Sequence, residues 1–183
     1  MTKYNYIEAP KFPSVPAWHK SLFMAGGITG CPDWQQEFRS LLHAQGECKN
    51  LTLLNPRREN FPIDDPNAAD EQIKWEFDAM VLSDAISFWF CEDTIQPIVL
   101  FELGRWSTPC HPILFADPPT HQHIPGEPSV VKIKNQPKRI FVGVDRNYAR
   151  RQDVEVQLGL IRPDLEIVYN LDLLADQVIE WAN

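Results

Sequence analysis

An open parallel α/β sheet with helices packed on both faces is the architecture this 183-residue sequence predicts. Three observations point to it. Strand-like and helix-like segments alternate through nearly the whole chain, the order that builds parallel sheets from crossover units. The segment Asp84–Cys91 (DAISFWFC) is apolar on both faces, as a central strand between two helix layers must be. The first apolar run ends in a glycine turn that leads straight into a helical pattern. A sheet of about five strands in one domain over residues 21–183 suits the length.

Taken in order, residues 1–20 read as an extended arm ahead of the fold, because Pro10, Pro13 and Pro16 each fix φ and remove a donor. Ser21–Ala25 is a buried strand, and Gly26-Gly27-Ile28-Thr29-Gly30 turns out of it. Pro32 and Asp33 open a helix in which Trp34, Phe38, Leu41 and Leu42 recur at helical spacing, with Gly46 as its stop. Leu51–Leu54 is the next strand, closed by Asn55-Pro56. Residues 57–67 form a proline- and aspartate-rich loop. A helix follows from Ala68, with Ile73, Phe77, Met80 and Val81 expected on its packed face. After the central strand, Pro97 suits the first turn of a helix running to Trp106. Pro112–Ala116 reads as a strand, residues 117–128 as a loop, Arg139–Val144 as a strand, Tyr148–Leu160 as a helix, Glu166–Tyr169 as a last strand and Leu171–Trp181 as a last helix.

Composition narrows the partners. Seventeen basic against twenty-five acidic side chains give a net charge of −8, without the basic stripe that a nucleic-acid-binding surface requires. The longest uncharged apolar stretches fall far short of the roughly 20 residues that span a bilayer. The first twenty residues carry Glu8 and prolines instead of the apolar core of a secretory signal, so the default compartment is the cytoplasm. Cys31, Cys48, Cys91 and Cys110 are widely spaced with no CxxC pair, which reads as reduced thiols and not as a zinc site or disulfide framework. His121 and His123 form an HxH in a proline-rich loop without an adjacent acidic cluster, so a metal role is disfavoured there and no metal is expected. Trp34, Trp75, Trp89 and Trp106 fall at core positions and read as packing.

Ligands of open parallel sheets sit beyond the carboxyl ends of the strands, so the residues just past each strand are the candidates. Gly26 and Gly27 would allow a ligand close to the backbone, or simply a tight turn. Asn55 could bond a ligand or start a turn, and Arg57 and Arg58 could meet an anion or form a solvated face. Glu102 lies within Ile98-Val99-Leu100-Phe101-Glu102-Leu103, where hydrocarbon neighbours predict a buried helix and a carboxylate at a cleft wall. Glu76 and Asp78 precede the central strand and Asp93 follows it. Paired carboxylates flanking an anomeric carbon are what glycosyl chemistry uses, one attacking and another group handling the leaving-group proton.

The segments LFMAGGITG, LNPRRENFP, QIKWEFDAMVLSDAISFWF and PIVLFELGRW, in this order, resemble the nucleoside 2-deoxyribosyltransferase-like family, strongly from about Ser21 to Trp106 and weakly beyond. The resemblance implies a flavodoxin-like or Rossmann-like sheet, deoxynucleosides and free nucleobases as substrates, no cofactor, and a homo-oligomer in which a neighbouring subunit completes each site. It places the attacking glutamate on Glu102, which would hold deoxyribose as a covalent ester between two displacements. It associates Glu76, eight residues before Asp84, with the base and its proton. A further acid that binds the sugar in the family falls by spacing near Gln96, the nearest acid being Asp93. Phe23 stands where some members carry a tyrosine. Two other readings are an N-glycoside hydrolase on nucleotides, with Arg57 and Arg58 binding a 5′-phosphate, and a non-catalytic nucleotide-binding module.

Overall fold

The computed structural model describes residues 5–45, 50–108 and 138–183. Its elements are β1 (Asn5–Glu8), β2 (Lys20–Gly26), α1 (Trp34–Gln45), β3 (Leu51–Asn55), α2 (Ala68–Leu82), β4 (Ala85–Phe90), α3 (Pro97–Trp106), β5 (Arg139–Val144), α4 (Arg151–Ile161), β6 (Ile167–Val168) and α5 (Leu171–Ala182). The strands form one parallel sheet in the order β1-β3-β2-β4-β5-β6. The open parallel α/β class is as expected, with six strands in place of about five. The expected strand Pro112–Ala116, the helix stop Gly46, and Cys48, Cys110, His121 and His123 lie outside the described residues.

The extra strand is β1. The prolines predict an arm ahead of the fold; the chain is extended there, but Asn5–Glu8 is hydrogen-bonded along β3 and Ala9 N–H continues the ladder to Asn55 O at 3.0 Å. A four-residue edge strand with one buried apolar side chain, Ile7, has almost no periodic signal of its own. Only its pairing partner defines it.

Alternation along the strands divides the core into two layers. Phe23, Ala25, Leu54, Ile86, Phe88 and Val142 face α2, α3 and α4, where Trp75, Ala79, Val99, Leu103 and Leu158 meet them. Leu22, Met24, Leu53, Trp89 and Phe141 face α1 and α5 through Phe38, Leu42, Leu174 and Val178. All six residues of β4 are buried, as the two-sided apolar run requires. The four tryptophans named above are core residues. No helix among the described residues is long and apolar enough to cross a membrane.

Two helices present faces other than those expected. On α2 the packed residues are Ala68, Trp75, Ala79, Met80 and Val81, while Ile73 and Phe77 are exposed. The stripe is therefore rotated, which brings positions 72 and 76 to its edge beside the sheet. On α3, Val99, Leu103 and Trp106 are packed, but Ile98 and Phe101 are 66% and 75% exposed. The helix is not enclosed by hydrocarbon, and Glu102 lies at the margin of its packed stripe.

Candidate active site

The connection after β2 leads to α1 on one face of the sheet, and that after β4 leads to α3 on the other. This reversal between two adjacent strands opens a cleft at their carboxyl ends. Its volume is about 390 Å³. The floor is Phe23, Ala25, Gly26 and Gly27 from β2 and its turn; Ile28, Thr29 and Pro56 form one rim. Residues 94–99 form the other rim, and Glu76 of α2 and Glu102 of α3 reach in from two helices.

Five of the predicted residues thus meet in one place with Glu102: Glu76, Phe23, Gly26, Gly27 and Gln96. Burial and the charge of Glu76 together push the Glu102 carboxyl up to about 8. Glu76 is itself raised by burial, against the opposing effect of a hydrogen bond from Gln72. That bond runs from Gln72 Nε2 to Glu76 Oε1 at 2.8 Å, and the same nitrogen donates to Pro56 O at 2.7 Å. Two carboxyls in one apolar cleft cannot both ionise cheaply, so at neutral pH the pair holds a proton.

The glycine turn is shaped by packing. A Cβ on Gly26 would lie 2.4 Å from the Trp34 ring, and one on Gly27 would lie 2.3 Å from Cys31 Sγ. Trp34 Nε1 donates to Gly27 O at 3.1 Å, fixing the indole against the turn. Gln96 caps α3 in the left-handed region at φ 54°. Its Oε1 accepts from Gly27 N–H at 2.9 Å, and its Nε2 donates to Cys91 O at 2.8 Å. The carboxamide is committed to joining the two rims. Phe23 contributes hydrocarbon to the floor, its ring 6.2 Å from that of Trp75.

Other candidates are placed elsewhere. Asn55 is buried and spends its carboxamide on Tyr6 Oη, on Arg57 O and on Arg57 N–H at 3.0 Å, forming a turn behind Pro56. Arg57 is held by Gln35 Oε1 at 2.9 Å and Pro32 O at 2.7 Å, with Asp33 at 3.5 Å. Arg58 lies 3.5 Å from Glu71 and over the Phe61 ring. Asp93 belongs to a separate depression with Glu92, Asp145 and Asp172, and Asp78 does not line the cleft. Asp84 closes the opposite end of the sheet, its Oδ2 accepting from Ser21 N–H at 2.8 Å and Ser21 Oγ at 2.7 Å. Among the described residues no cluster of His, Cys, Asp and Glu could hold a metal ion.

Sequence reasoning assigned no role to Thr29, Pro56 and Thr94, which fall in the post-strand segments it pointed to, and passed over Ile95 in the lining. It also passed over Gln72, for which the four-residue helical spacing to Glu76 was an available signal. Tyr148 supports the rim from β5's side by donating its hydroxyl hydrogen to Ile95 O.

The sequence pattern described as nucleoside 2-deoxyribosyltransferase like matches residues 19–118, more than half the chain. The chain belongs to the nucleoside 2-deoxyribosyltransferase-like family. The matched region runs from the start of β2 past α3, so every residue lining the cleft of this deoxyribosyltransferase-like chain falls inside it. No curated protein matches the chain.

Proposed function

We propose that this protein transfers 2-deoxyribose between purine or pyrimidine bases by double displacement, with Glu102 as nucleophile and Glu76 as the proton carrier for the base. The observation that carries this reading is the meeting of Glu102 and Glu76, from two helices, in one mostly apolar cleft. A Glu102 oxygen attacks C1′, the C1′–N bonding pair leaves with the base, and the base takes the proton from Glu76. The product is a glycosyl ester on Glu102 and an ionised Glu76. The second base attacks C1′, returns its proton to Glu76 and frees Glu102. Apolar walls at Phe23, Ile28, Ile95 and Val99 limit access of water, which would otherwise hydrolyse the ester.

The active protonation state, Glu102 ionised and Glu76 protonated, is one of the two forms of a pair holding a single proton. Neutral nucleosides suit the cleft better than 5′-phosphates, because no Lys, Arg or His among the described residues lines it and Arg57 is committed to the β2–α1 turn. The exposed Ile95 and Ile98 at the cleft rim, together with the exposed Phe101 beside Glu102 on α3, support a homo-oligomer in which a second copy covers these side chains and completes the site.

The test is intact-protein mass spectrometry after exposure to a 2-fluoro-2-deoxynucleoside. A sugar adduct that maps to Glu102 is expected. Release of base without an adduct at Glu102, or no release at all, overturns the proposal.

A further inference from the structure

We propose that Gln72 is a positioning residue for the transfer, fixing which oxygen of Glu76 carries the proton delivered to the leaving base. This rests on the reading of Glu76 just given, but the observation that carries it is separate.

Gln72 Nε2 forks between two acceptors, Pro56 O at 2.7 Å and Glu76 Oε1 at 2.8 Å. A carboxamide can ordinarily be turned over, exchanging its donor and acceptor ends. Here it cannot be turned without loss, because Pro56 O is a main-chain carbonyl that only accepts. Turning would set the amide oxygen against it. The NH₂ end is therefore held toward Glu76 whether or not Glu76 carries a proton. The arrangement persists although the Gln72 Oε1 is buried without a partner.

Oε1 of Glu76 is thus permanently an acceptor, and a proton on this carboxyl resides on Oε2. In the displacement, the Oε2–H proton goes to the base as the C1′–N pair leaves, and Glu102 supplies the new bond to C1′. The groups bearing on Glu76 agree with this: Gln72 on its own helix, Pro56 O at the end of β3, and Glu102 from α3, the charge with which it shares the cleft.

The experiment compares two donors in the wild type and in Gln72→Met. One is a natural deoxynucleoside, whose base must be protonated; the other is a 4-nitrophenyl 2-deoxyriboside, whose leaving group departs as the anion. Gln72→Met is expected to slow the deoxynucleoside about tenfold while leaving the nitrophenyl donor within about twofold. In a Glu76→Gln background the same substitution should have no further effect. Equal slowing of both donors, or an undiminished deoxynucleoside rate, overturns the proposal.

A second measurement needs neither a variant nor activity. In the wild-type protein the Gln72 side-chain amide protons should shift in NMR through the same midpoint as the Glu76 carboxyl carbon. An amide resonance that ignores that midpoint overturns the link, even if the transferase reading stands. A wild-type protein that cleaves neither donor overturns the transferase reading, and the amide titration still judges Gln72.

Discussion

Gly27 and Gln96, 69 residues apart in sequence, are joined by a 2.9 Å hydrogen bond from the main-chain N–H to the side-chain oxygen, and this bond ties together the two rims of the cleft. The other end of the carboxamide holds Cys91 O, at the end of β4. Gln96→Ala would leave Gly27 N–H and Cys91 O without these partners. A loss of about 2–4 kcal/mol is expected in urea unfolding, with weakened nucleoside binding. Gln96→Glu, which restores an acid close to where the family carries one, should not rescue it, because a carboxylate would face Cys91 O and Thr94 O. Wild-type stability in either variant would show that the clamp is unimportant.

Glu102 lowers stability in a pH-dependent way. Its carboxyl sits at about 8 in the folded chain against 4.5 for the ordinary side chain, so the folded state binds the extra proton between these values. Stability is greatest, as far as this group is concerned, below about 4.5 and falls as pH rises through about 8. Glu102→Gln removes the buried charge. The variant should gain a few kcal/mol over wild type at pH 9 and little at pH 5, while losing transfer. Thermal unfolding at the two pH values measures this, and an equal gain at both would contradict it.

Transfer from a natural deoxynucleoside should follow a bell. It requires one proton on the pair, so it falls above about 8 as that proton leaves, and falls on the acid side as Glu76 and Glu102 both become protonated. A donor whose leaving group needs no proton should instead keep its rate above pH 8. Initial rates for both donors across pH 5 to roughly 10 separate the two shapes.

Arg57 is expected to act on structure and not on phosphate. Its bonds to Gln35 and Pro32 join the loop after β3 to the start of α1. Arg57→Ala should destabilise by about 1–3 kcal/mol and leave the preference for a nucleoside over its 5′-monophosphate unchanged. A selective loss of activity on the monophosphate would restore the nucleotide reading.

Phe101, three-quarters exposed on α3 one residue before Glu102, is one of the most exposed large apolar side chains among the described residues. If α3 lies in the interface of the proposed homo-oligomer, Phe101→Asp should give smaller species in sedimentation and lower activity, with the fold retained. An unchanged sedimentation profile would remove α3 from the interface.

Some of this was legible in the sequence because it is written in local pattern. Two-sided hydrocarbon in Ala85–Phe90 can only be a central strand, and an acid amid Ile98–Leu103 had to lie at an edge of packing. Glu102 and Glu76 were identified as candidates on those grounds and from the resemblance, without any distance. The packed face of α2 was not legible, since Ile73 and Phe77 are as apolar as the residues that are buried. What each polar side chain does was undecided too. Asn55, Arg57 and Gln96 are all residue types that bind ligands; Asn55 is spent on its own turn and on Tyr6, and Arg57 and Gln96 bond to main chain across the turns at Pro32 and Gly27.

By itself, then, the sequence determined the order of elements, the parallel sheet and the acids available for chemistry, because periodicity and burial are properties of neighbouring residues. Tertiary structure alone decided that β1 joins the sheet, that Asp93 belongs to a different depression from Glu102, and that the Gln72 carboxamide is anchored on Pro56 O. The physical reason is the same in each case. A hydrogen bond or a shared cleft depends on where crossover connections bring distant strand ends together, and that placement is a property of the whole sheet.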